Sequence, residues 1–246
     1  MFPYAGIPRI VIETVDMVDV VDRENEIPAK FQIFGEKDEE SEILEMSIRG
    51  RGNSSWTTMP KKSYKIEFAA KKKLLGMPQN KDWALIANYA DKTLMKNYLM
   101  YNAARELNSF YSPRCEFVEL YLNRDFLGTY LLVETIKSGK NRVDFSKSTD
   151  AYIVEVDAKL RQGEQYFVSD VLNDEGKVFK IHEPHNASDL LITQLSNHIR
   201  EFETYLIGIE ANADNQLGDW IDVDDMIKYM WIQEFTKNPD ANFYTS

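Results

Sequence analysis

The chain has 246 residues, a mass of 28.6 kDa and a formal net charge of −11 at pH 7. With 43% hydrophobic and 12% aromatic residues it is a folding chain of one large domain or two small ones, and a disordered chain is excluded. No apolar run approaches the ~18 residues of a membrane span, and the acidic balance argues against nonspecific binding to nucleic acid or anionic membrane while leaving room for a local basic pocket.

The opening stretch, Met1 to Ile10, shows no charged segment followed by an apolar one, so no signal peptide is read there. Strands are predicted over Arg9–Glu13, Lys30–Phe34 and Leu44–Ile48, from alternating or continuous apolar character. The acidic stretch Gly35–Glu42 reads as a solvated hairpin loop. A glycine-rich segment, Arg49–Ser55, precedes another strand, Ser63–Phe68, and the basic run Lys71–Lys73 reads as a solvated loop. Trp83–Ala87 is a short strand or turn entry. A helix carrying Leu94, Met95, Tyr98, Leu99 and Ala103 is expected after Asp91, which suits an N-cap.

Cys115–Leu122 and Leu127–Glu134 are apolar on both faces and flank Asn123-Arg124-Asp125, which predicts a central antiparallel hairpin. Cys115, the single cysteine, cannot form an internal disulfide and reads as a buried thiol. Ala151–Val156, Gln165–Val168 and Lys177–Ile181 are further strands. Ser188 can cap a helix that runs to Gly208, and a second helix starts near Asp222 and stops at Asn238-Pro239. Strands first and helices later predict an α+β chain, strand-rich in its N-terminal part and helical in its C-terminal part.

The segment from Arg49 to Phe68 carries the strongest local signal. Glycines after a strand free backbone N–H groups to face an anion, and arginine supplies planar donors for phosphate oxygens. Period two places Lys62 on the face of Tyr64, Ile66 and Phe68, where a lysine is costly unless a charged partner meets it. The alternative is a plain glycine turn whose strand-end lysine reaches to water. Asp240, in Asn238-Pro239-Asp240, lies between a helix and a possible strand, where a catalytic carboxylate or an ordinary helix stop both fit. Glu134 and Glu155 end or interrupt apolar strands, and either could pair with Lys62 or sit at a sheet margin. His182-Glu183-Pro184-His185 has poor spacing for a metal pair.

Taken together, the runs Arg49–Phe68, Trp83–Lys92, Gly128–Glu134, Tyr152–Asp157 and Asn238–Asp240 resemble the spore coat protein H (CotH) kinase-like family, over nearly the whole chain from about Ile7. The resemblance implies one domain over residues 7–246 behind a short tail, 1–6. It implies an atypical protein-kinase-like fold and transfer of phosphate from ATP, with Mg²⁺, to protein hydroxyls, with a surface or coat protein outside the cell as the expected acceptor. It puts Asp240 at the catalytic aspartate position, Arg51, Gly52, Ser54 and Lys62 at the ATP phosphates, and Glu134 and Glu155 near the nucleotide in roles left open. The family's metal-binding aspartate is expected beyond Ser246. The strand-like Asn242–Ser246 accordingly predicts a truncated, inactive fragment. A non-catalytic surface or adhesive module, or a pseudokinase, is the alternative.

Overall fold

The structure is a computed structural model that describes residues 6–35, 42–107, 111–145, 151–157, 159–172, 175–208 and 216–238. The chain divides into two compact units, one formed by Met1–Ala103 with Ser112–Ile136, the other by Ala104–Tyr111 with Lys137–Ser246.

The first unit is a closed seven-stranded barrel. Its strands are β1 (Arg9–Thr14), β2 (Ile27–Phe34), β3 (Leu44–Arg51), β4 (Ser63–Leu74), β5 (Met77–Ile86), β6 (Cys115–Leu122) and β7 (Asp125–Glu134), joined in the order β1-β2-β3-β4-β5-β7-β6. All neighbours are antiparallel except β6 and β1, whose parallel pairing closes the ring. The seam has side-chain fasteners. Arg9 faces Glu119 across it at 3.4 Å, and the Asn123 side-chain oxygen accepts from the Thr14 backbone N–H at 2.9 Å.

Alternation along the strands fills the interior. Ile10, Ile12, Phe31, Ile48, Ile66, Trp83, Leu85, Leu120 and Leu132 are all buried there, and Phe31 meets Phe68 edge-on at 5.0 Å. Each such side chain contributes about 1.5–3 kcal/mol of burial, so the interior is a packed core. On the outer face, helix α2 (Lys96–Glu106) sets Tyr98 and Tyr101 against Cys115, Leu131 and Val133. A single short helix, α1 (Ser54–Thr58), lies between β3 and β4.

The second unit contains a three-stranded antiparallel sheet, β8 (Ile153–Val156), β10 (Lys177–Glu183) and β9 (Tyr166–Ser169) in that order. Helix α3 (Asp189–Gly208) packs Leu195 against Phe167 and Ile181 of this sheet, and α4 (Val223–Thr236) follows. Caps set both helices. Ser188 Oγ accepts from the Leu191 N–H at 3.2 Å, and the Asp222 carboxylate accepts from the Asp225 N–H at 3.0 Å.

Two expectations are corrected. The chain is strand-rich and built on a closed barrel, with four α-helices among the described residues, so it is not the expected kinase-like α+β fold with a helical C-terminal part. Period-two patterns show where strands lie but not that the first and sixth close a ring. The run Lys71–Lys73 is strand rather than loop, because β4 continues to a tight turn at Leu75 and Gly76, both at positive φ. The predicted hairpin stands as expected. β6 pairs with β7, and Asn123 and Arg124, at φ 50° and 73°, form the two-residue turn. Cys115, Val118, Leu120, Leu131 and Leu132 are buried and Phe117 half-buried. Of the acidic stretch Gly35–Glu42, residues 36–41 lie outside the described residues.

Candidate functional site

The site region is one end of the barrel, where β3 finishes and β4 begins. Arg51 pairs with Ser63 across the ladder, so the turn between them projects from the barrel mouth. Gly52 sits at φ +104°, a conformation suited to glycine, and its neighbour Asn53 starts α1. The turn is pinned from outside: Arg23 donates to the Gly52 carbonyl at 2.7 Å and to the Asn53 side chain at 2.8 Å. Gly50 is a close-approach glycine. A Cβ there would lie 2.6 Å from the Asp22 carbonyl oxygen and 2.6 Å from the Trp56 ring. Trp56 therefore lies over the barrel mouth, edge-on to Tyr64 at 6.3 Å, and Tyr64 stacks on Tyr130 at 6.2 Å.

Arg51 and Ser54 are exposed. No described carboxylate makes an ion pair with Arg51. Its guanidinium is near enough to the buried Tyr101 hydroxyl to oppose the upward push that burial gives that group.

Lys62 does not meet an acid among the described residues. Tyr64, Ile66 and Phe68 face the barrel core as expected, but the strand starts at Ser63 and the Lys62 side chain folds back on α1. Its ammonium donates to the carbonyls of Trp56 at 2.5 Å and Met59 at 2.7 Å, the acceptors left free at a helix end. Glu134 and Glu155 have other partners. The buried Glu134 carboxylate accepts from the Arg114 backbone N–H at 2.9 Å and from its guanidinium at 3.2 Å. Glu155, in the second unit, pairs with Lys180 at 3.0 Å. Asp240 lies outside the described residues.

Lys61 is the residue the sequence reading passed over. Its ammonium donates to the Thr129 carbonyl and stands 4.2 Å from the centre of the Tyr130 ring. Partial burial lowers its pKa. The missed signal was the repeated lysine in Pro60-Lys61-Lys62, of which the alternation argument kept one. Two other lysines are held by carboxylates. Lys65 meets Glu67 at 2.9 Å and Asp82 at 3.0 Å, while Lys180 has Glu155, Asp157 and Glu164 within 3.8 Å.

The cations at the barrel mouth fit an anionic, phosphate-bearing ligand, since Arg51, Lys61 and Lys62 have no ion-pair partner among the described residues. A metal is another matter. Among the described residues no three His, Cys, Asp or Glu side chains are placed to hold one, and Glu134 and Glu155 are both committed to cations. His182 and His185 have ring centres 6.3 Å apart, and His185 lies 3.8 Å from Glu183.

The first unit is a small closed β-barrel with cations gathered at one end, and the second is a mixed unit of sheet and helices. The chain belongs to the CotH kinase family: the family described as CotH kinase protein matches residues 48–246, from the middle of β3 onward. Membership of a kinase-like family carries with it use of nucleotide and metal in general and a protein substrate. No curated protein matches the chain. No helix among the described residues is long and apolar enough to cross a membrane.

Proposed function

We propose that this chain binds ATP at the barrel mouth and serves transfer of its γ-phosphate to protein hydroxyl groups, in a protein that works at or outside the cell surface. The observation that carries the reading is the family match over residues 48–246, which includes Arg51, Lys62 and Asp240. The cations at the mouth, which have no ion-pair partner among the described residues, support it.

ATP supplies the phosphoryl group. Arg51, exposed at the end of β3, presents planar donors to two phosphate oxygens at once. Gly52, at φ +104°, gives the turn a backbone conformation that side chains rarely adopt, and the Ser55 hydroxyl occupies the place a Cβ would take. Ser54 offers a hydroxyl beside the turn. Lys62 has a different task from the one alternation assigned. By clamping the Trp56 and Met59 carbonyls it fixes the turn that carries Arg51 and Ser54, which makes it a positioning residue. Asp240, which the sequence resemblance assigns to the family's catalytic aspartate position, accepts the proton of the attacking hydroxyl in this reading. A non-catalytic surface module would keep the barrel without this chemistry.

The test is transfer of radiolabelled γ-phosphate to a hydroxyl-bearing protein acceptor, in the presence of Mg²⁺, by the wild-type protein and by Asp240→Asn. Transfer that falls by about a hundredfold or more in the variant is expected for loss of a general base. Equal transfer by both proteins overturns the role of Asp240, and no transfer by the wild type favours the non-catalytic module.

A further inference from the structure

Two lysines of this protein that are drawn into its surface, Lys65 and Lys180, are each surrounded by two or three carboxylates. This is what electrostatics requires, since a partly desolvated ammonium is costly without an opposite charge. Lys61 breaks the pattern. It is half-buried, yet its contacts among the described residues are a neutral carbonyl, Thr129, and a neutral ring, Tyr130. Its neighbour Lys62 likewise meets neutral groups among the described residues, two carbonyls and the Trp56 ring. In a chain of net charge −11, cations are outnumbered by acids, so a pair of lysines without a described acid is a departure from what composition alone would give.

The local build keeps the Lys61 amine where it is. The ring of Tyr130 is fixed beneath it, because the Tyr130 hydroxyl donates to the Lys62 carbonyl at 2.8 Å. The lowered pKa of Lys61 agrees with a desolvated cation whose compensation is incomplete.

We infer that Lys61 is a binding residue for an oligophosphate chain, which supplies the anionic partner the described protein does not. The inference rests on the reading of the barrel mouth as a nucleotide site and names a contact beyond Arg51. In the ligand-free protein the ammonium is held by Thr129. With a phosphate chain present it turns to the phosphate oxygens while keeping its place over the Tyr130 ring.

The test is sparse acetylation of lysines, read residue by residue by peptide mass spectrometry, on the 246-residue chain. It is run alone, with inorganic tripolyphosphate, and with ATP. Labelling of Lys61 is expected to fall about tenfold with either ligand at ten times its dissociation constant, while the exposed Lys71 does not change. In Lys61→Gln, affinity for tripolyphosphate should fall about tenfold, the loss of one charge-assisted contact, with the unfolding midpoint retained. No protection of Lys61 by either ligand overturns the inference, as does protection by ATP alone, which would assign the contact to the nucleoside. Phosphate transfer by a protein whose Lys61 stays unprotected removes this inference and leaves the proposed function. Protection without transfer does the reverse.

Discussion

The Tyr130 hydroxyl donates to the Lys62 carbonyl oxygen at 2.8 Å, joining β7 to the residue that precedes β4 across the barrel mouth. Two strands that are not neighbours in the sheet are thereby locked together where the site lies. Tyr130→Phe keeps the ring and removes the bond. It should destabilise the protein by about 1–2 kcal/mol, the usual cost of leaving a partly buried carbonyl without its donor. Denaturant unfolding of the two proteins checks this, and identical midpoints would show that the bond is immaterial.

Gly50 leaves no room for a side chain. A Cβ at that position meets the Trp56 ring and the Asp22 carbonyl, each at 2.6 Å. Gly50→Ala should cost about 1–3 kcal/mol as overpacking and shift Trp56 away from Tyr64. Tryptophan fluorescence should move with the stability. Loss of stability with an unchanged spectrum would place the strain in the Asp22 loop instead.

Glu134 acts as a structural acceptor for Arg114. Glu134→Ala should lower stability by about 1–3 kcal/mol, because a buried N–H is left without its acceptor, and should leave ATP affinity unchanged. Calorimetric titration with ATP, paired with thermal unfolding, separates the two effects. A fall in affinity with stability intact would return Glu134 to the nucleotide.

Burial, with help from the charge of Asp19, pushes the Tyr64 phenol from its ordinary 10.0 up to about 12. The folded state therefore holds a proton that the unfolded chain releases first. The resulting stability is complete below pH 10 and is lost as pH rises towards 12. The gap in unfolding free energy between wild type and Tyr64→Phe should narrow in the wild type's disfavour across that window. A gap that stays constant would contradict the assignment.

How far the sequence speaks for itself depends on the range of the interaction. The β6–β7 hairpin was legible because its signal is local, two apolar runs around Asn123-Arg124-Asp125. The start of α2 was misread for an equally local reason. Asp91 does accept from the Lys96 N–H at 2.8 Å, but it first closes a turn with Thr93, so the helix begins at Lys96 instead of directly after Asp91. Barrel closure was not legible, since the pairing of Arg9 with Glu119 spans 110 residues and leaves no periodic trace. At the barrel mouth, the turn at Gly52 was legible as a glycine-rich run after a predicted strand. The surroundings of Lys62 were not, because alternation assumes a strand already under way, whereas the chain there is leaving an unexpected short helix whose carbonyls take the ammonium. Lys61 escaped notice because its burial depends on β7, which is distant in sequence.

The claim at the centre of this account is that the cationic end of the barrel holds the phosphates of a nucleotide. Calorimetric titration of ATP into the wild-type protein and into Arg51→Ala tests it most directly. Arg51 is exposed and has no ion-pair partner among the described residues, so its removal should leave the unfolding midpoint in place. The predicted result is measurable binding by the wild type and a loss of about tenfold to a hundredfold in the variant, as for one charge-assisted contact of about 1.5–3 kcal/mol. Equal affinity in the two proteins would contradict the account.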